Sequence, residues 1–123
     1  MIYAPVIIPI LNRFEHFKIC LESLEQCTGA DKTDVFIGLD YPPSEKYKEG
    51  WEKIDNYLQG KEKQNHFNKL IVIRRDKNYG IQGEESNFNC LTREIFKIND
   101  RVIFSEDDNV FSPNFLDYIN KGL

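Results

Sequence analysis

The sequence has little that would commit it to a membrane, to nucleic acid or to disulfide chemistry. Its apolar opening, residues 1–11, carries no basic leader, contains two prolines and is too short for a bilayer, which takes a helix of about 20 apolar residues. Lys and Arg number 16 against 20 Asp and Glu, a formal net charge of −4, so a phosphate backbone is not the expected partner. Cysteines number only 3, an odd count without metal-type spacing. Cys20 and Cys90 fall in helical patterns, where a thiol acts as a small hydrophobe. Together these absences lead us to expect a cytoplasmic protein with no membrane segment and no nucleic-acid partner. There is no internal repeat, no low-complexity segment and no Gly-rich basic loop near the first strand.

What remains is an ordinary globular balance, 41% hydrophobic and 29% charged over 123 residues, the size of one domain with a real core. Four apolar runs alternate with helical patterns. The first, residues 4–11, is almost continuously apolar, as in a strand covered on both faces; Pro9 removes a ladder donor and predicts an irregularity near its end. Asn12-Arg13-Phe14-Glu15 reads as a capping box opening a helix over 13–28, with Phe14, Phe17, Leu21 and Leu24 on one face and Gly29 as its stop. A second strand over 34–39 ends at Asp40, before Tyr41-Pro42-Pro43. Ser44 then caps a helix carrying Tyr47, Trp51, Ile54 and Leu58 and ending near Gly60. A polar linker, 61–68, leads to a third strand over 70–73 and a stretch from Arg74 to Gly80 where basic groups gather, open either to solvent or to phosphate. A third helix is expected over 82–98, with Phe88, Leu91, Ile95 and Ile98 inward. The alternation predicts an α/β fold, a three-layer sandwich on a mainly parallel sheet.

The chain is organised around residues 101–108, Arg-Val-Ile-Phe-Ser-Glu-Asp-Asp. A short strand-forming run ends in Glu106, Asp107 and Asp108, and Ser112, Pro113, Phe115, Leu116 and Ile119 then start a new helix. Ligands of open α/β sheets bind outside the carboxyl ends of the strands. Three adjacent acids repel one another there, and a hard divalent cation relieves that repulsion. Asp40 ends another strand at the same edge, and Arg13, in the first turn of the first helix, offers a guanidinium to an anion or a base edge.

The stretch from Val102 through the acid triplet to Pro113, Phe115 and Tyr118 resembles the Asp-X-Asp-type motif of GT-A-fold nucleotide-sugar glycosyltransferases, and within them the N-acetylglucosaminyltransferase I type. The likeness extends to Pro5-Val-Ile-Ile, Asn12-Arg13, Asp40 and the segment from Leu91 to Phe96, and it also touches family 2-like glycosyltransferases. It implies the Rossmann-like nucleotide-binding half of a GT-A domain over residues 1–123, with the acceptor-binding half and the catalytic base lying beyond. It implies metal-dependent transfer, with inversion, of a sugar from a uridine-diphosphate donor to an acceptor hydroxyl, N-acetylglucosamine being the first donor sugar expected. By the same resemblance Asp108 is the direct ligand of Mn2+ or Mg2+. Glu106 and Asp107 contact ribose or metal-bound water, Asp40 accepts from the uracil ring nitrogen, and Arg13 contacts the uracil. The family's nucleotide-contacting His falls at Asn87 here. These residues alone are expected to bind donor without transferring sugar. Two rival readings are a receiver-like magnesium-binding signalling module, which would carry its acid pair after the first strand, and a sugar nucleotidyltransferase, which would carry a Gly-rich basic loop there.

Overall fold

A computed structural model describes residues 3–122; Met1 and Ile2 of the apolar opening, and Leu123, lie outside the described residues. Four parallel strands form one sheet in the order β3-β2-β1-β4: β1 (Val6–Ile10), β2 (Asp34–Leu39), β3 (Lys69–Arg74) and β4 (Ile103–Phe104). Between and after them come α1 (Phe14–Glu25), α2 (Lys48–Lys63), α3 (Asn87–Phe96) and α4 (Phe115–Gly122). This is the expected three-layer α/β/α arrangement, and the sheet is parallel at every pairing.

The period-2 alternation of the strands sorts the core into two unequal halves. Val6, Ile8 and Ile10 of β1, with Val35, Ile37 and Leu39 of β2, face Phe17, Leu21 and Leu24 of α1, Ile54 and Leu58 of α2 and Leu116 of α4. Each such side chain contributes about 1.5–3 kcal/mol on burial. The opposite face holds only Ile7, Phe36, Leu91 and Ile95 as its buried cluster, beneath α3. Close seating of that helix depends on Gly38, where an added Cβ would stand 3.0 Å from Asn87 Oδ1 and 3.1 Å from Leu91 Cδ2.

Several local expectations change. The strand expected over 4–11 is limited to Val6–Ile10 and runs through Pro9 without a break, paired to Gly38. Odd-numbered residues of β1 face β4, since Ile103 N–H donates to Pro5 O and Ser105 N–H to Ile7 O; the missing donor of Pro9 therefore points past the end of β4. The capping box does not form: Arg13 holds the N-cap position of α1 and no side chain caps it. The Asn12 carbonyl instead accepts from Phe14 N–H and sits against Gly50 of α2, 2.1 Å from where a Cβ would be. Helix α1 ends at Glu25 rather than 28, and Gly29, at φ +96°, opens a 3-10 turn instead.

Ser44 precedes a 3-10 turn, Glu45–Tyr47, without a side-chain cap bond. Helix α2 continues through Gly60 to Lys63, so the first three residues of the expected polar linker are helical. Lys61, two residues before its end, reaches back to the buried carboxylate of Glu25. The third helix starts at Asn87 rather than 82, capped by Ser86 Oγ accepting from Asn89 N–H. Residues before it form a loop with Gly80 and Gly83 at positive φ. Leu91 and Ile95 face inward as expected, whereas Ile98 lies past the helix and is exposed, and Phe88 packs on the Phe104 ring at the sheet edge.

Candidate nucleotide site at the carboxyl edge of the sheet

Chain order reverses at β1: its successor β2 lies on one side and β4 on the other, which makes the β1–β4 crevice the switch point where such sheets bind ligands. The two loops that leave these strands meet there. Arg13 Nη2 lies 3.1 Å from Asp108 Oδ2, and its Nε lies 3.4 Å from Asp107 Oδ2. One guanidinium thus bridges two of the three acids, and it is itself half exposed. Burial holds the Asp107 carboxyl above the usual carboxylate range, with Arg13 pulling the other way and Asp108 adding to the rise.

The acidic loop is shaped from below. Ser105 is fully buried, its Oγ donates to the Glu106 carbonyl at 2.8 Å, and Asn109 Nδ2 donates to that Oγ at 3.1 Å. The thiol of Cys20, on α1, also approaches the Glu106 carbonyl, and burial pushes that thiol up to about 11, so it is a packed, un-ionised group. The Glu106 residue itself is exposed. Among the described residues no three His, Cys, Asp or Glu side chains gather around a metal-sized space. The donor set still fits a hard cation of the kind bound through one or two carboxylates plus substrate phosphates: Asp108 and Asp107 are oxygen donors at the β1–β4 crevice, and the charge beside them is a half-exposed guanidinium.

Asp40 stands apart from that pair. It is 4% exposed, and its carboxylate accepts from four donors: Tyr41 N–H (2.9 Å) and Tyr79 N–H (2.8 Å) on Oδ1, Gly80 N–H (3.0 Å) and Asn78 Nδ2 (3.4 Å) on Oδ2. The Asn-Tyr-Gly loop that supplies three of these was read only as the tail of a basic stretch. Its turn composition is the signal that could have marked it.

Of the basic groups in that stretch, Arg74 and Arg75 are held in ion pairs and Lys77 is exposed. Arg74 is paired with Asp55 and Glu62. Arg75 is buried, donates to Asn87 Oδ1 at 2.9 Å, pairs with Glu94 and lies over the Tyr79 ring. Asn87, at the place of the family's His, has its other amide atom on the Gly38 carbonyl at 2.7 Å. It is thereby tied between the ends of β2 and β3 and the start of α3.

A single all-parallel four-stranded sheet with flanking helices is a Rossmann-like α/β fold, consistent with half of the GT-A arrangement. Among solved structures it is similar to S. aureus TarS, with a TM-score of 0.65, 18% identity and 96% of this chain aligned. A shorter TarS chain in complex with UDP gives a TM-score of 0.67, again at 18% identity and 96% coverage. The chain spans 19% of the first TarS chain and 31% of the second. No family model matches the sequence, and no curated protein does. No described helix is long and apolar enough to cross a membrane.

Proposed function

We propose that these residues form the donor-binding part of a metal-dependent glycosyltransferase that takes its sugar from a uridine-diphosphate donor and passes it, with inversion, to an acceptor hydroxyl. The observation that carries this reading is the meeting of Arg13 with Asp107 and Asp108 at the switch point of a GT-A-type sheet. That one TarS structure of the same fold holds UDP supports the choice of nucleotide. N-acetylglucosamine is the sugar we infer first, from the likeness of the acid loop to the N-acetylglucosaminyltransferase I type.

In this scheme Asp108 holds Mn2+ or Mg2+, and Asp107 and Glu106 face its water shell and the ribose. When bound, such an ion offsets the negative charge of the diphosphate leaving group. The work of the chain itself is placement. The β4–α4 loop presents the carboxylates, the β1–α1 turn brings a guanidinium to the nucleotide, and Asp40, at the end of β2, is aimed at the uracil ring nitrogen. That nitrogen carries a proton in uracil and none in cytosine, so a carboxylate acceptor favours uridine.

Calorimetry of UDP binding with and without manganese tests the reading. We expect UDP to bind far better with manganese than after chelation, and UDP to outcompete CDP. Equal affinity with and without the metal, or no preference for uridine, removes the assignment.

A further inference from the structure

The carboxylate that should recognise the base has no free acceptor position. An ionised carboxylate offers about four lone-pair sites, and Asp40 fills them with Tyr41 N–H, Tyr79 N–H, Gly80 N–H and the Asn78 amide. Three of these are backbone bonds of 2.8–3.0 Å that define the loop; the fourth, from Asn78 Nδ2, is 3.4 Å long. The same Nδ2 makes a better bond, 2.7 Å, to the Tyr41 carbonyl. Loss of the long bond leaves that amide partnered, whereas loss of any of the other three strands a backbone N–H. At 3.4 Å it is also past the usual range for N–H···O bonds.

Resting on the uridine-diphosphate reading above, we propose that Asn78 is a placeholder: its amide occupies the Asp40 position that the uracil ring N–H takes on binding. The remaining bond to the Tyr41 carbonyl then keeps Asn78 beside the base, and the loop stays clasped through Tyr79 and Gly80. Only a ring nitrogen that carries hydrogen can replace the amide, so the exchange is open to uracil and closed to cytosine, whose ring nitrogen is an acceptor at that position. Gly80, at φ +81°, lets the loop backbone turn its N–H onto Oδ2.

The test is titration of the intact chain, as wild type and as Asn78→Ala, with UDP and with CDP in the presence of manganese. With the placeholder removed the uracil meets an open acceptor, so UDP affinity should increase about two- to tenfold, the span of one ordinary hydrogen bond, while CDP affinity stays the same. A loop disturbed for purely structural reasons would change both nucleotides together, and that result, or an unchanged UDP affinity, overturns the proposal. A second measurement needs no variant: in the wild-type NMR spectrum the Asn78 side-chain amide should shift with UDP and not with CDP, while the Tyr79 and Gly80 amides stay protected. An Asn78 amide that ignores UDP overturns the proposal as well. Failure of the underlying reading has a different signature, since wild type would then bind UDP and CDP alike.

Discussion

Two acidic positions share the carboxyl edge of this sheet, and they are built in opposite ways. Asp40, after β2, is buried and surrounded by N–H groups, three of them backbone. Asp107 and Asp108, after β4, meet one half-exposed guanidinium at the β1–β4 crevice. A carboxylate fixed by backbone donors is rigid and loses much if removed, as suits reading a shape. Carboxylates offset by a single movable cation are easily re-partnered, as suits holding an ion that arrives with its ligand.

The contrast breaks most directly at Asp40. Asp40→Ala leaves the backbone donors of Tyr41, Tyr79 and Gly80 without their acceptor, and should lower unfolding free energy by about 3 kcal/mol; Asp108→Ala should stay within about 0.5 kcal/mol of wild type. Urea denaturation of the two variants decides, and equal losses would mean that the two positions are not different in kind. Next in size, Asp108→Ala should lose about 1–3 kcal/mol of manganese-dependent UDP affinity by calorimetry; unchanged metal-dependent affinity takes Asp108 out of the site. Arg13→Ala should cost less than about 1 kcal/mol of stability, because the pairs it makes are half exposed. A larger loss in urea would show that the guanidinium is a fixed part of the fold.

The smallest expected effect is a pH dependence at Asp107. Burial holds its carboxyl above the ordinary value of 3.8, so the folded chain takes up this proton more readily than the unfolded one. The contribution of Asp107 to stability therefore grows as pH falls from neutral through its folded value, and levels off below 3.8. Asp107→Asn should be more stable than wild type at pH 7, with the gap closing under acid. Urea titrations at the two ends of that range would show it, and a constant gap would argue that Asp107 titrates normally.

How much of this was legible in the sequence follows the range of the interactions involved. The second strand, residues 34–39, was readable to the residue because the run Val35–Leu39, opened by Asp34 and followed by a Pro-Pro stop, is a local signal. So was the position of the acid triplet in a strand-to-helix loop. The capping box at Asn12 failed because Gly50, 38 positions on, packs against that carbonyl. The third helix was started five residues early because Gln82, Glu84 and Glu85 are good helix formers, while Gly80 and Gly83 take left-handed turns that lead to the Ser86 cap. Asp40 was recognised as an acid at a strand end. That it would be saturated was hidden, since three of its four partners are supplied from 38 to 40 residues away.

One residue of β1 decides how long its neighbour can be. The parallel ladder between β1 and β4 has its last described rung from Ser105 N–H to Ile7 O. By the alternation of such ladders the next rung would run from the amide of residue 9 to the Ser105 carbonyl, and residue 9 is proline. The zipper therefore has a missing tooth one step before the acids. Ser105 turns instead into the loop, where its hydroxyl is taken by the Glu106 carbonyl and by Asn109, and Glu106, Asp107 and Asp108 are spared from becoming strand residues whose side chains would alternate between the two faces of the sheet. A proline on one strand thus acts as a length gauge for the strand beside it, and leaves the side chains of Asp107 and Asp108 free to meet the same guanidinium.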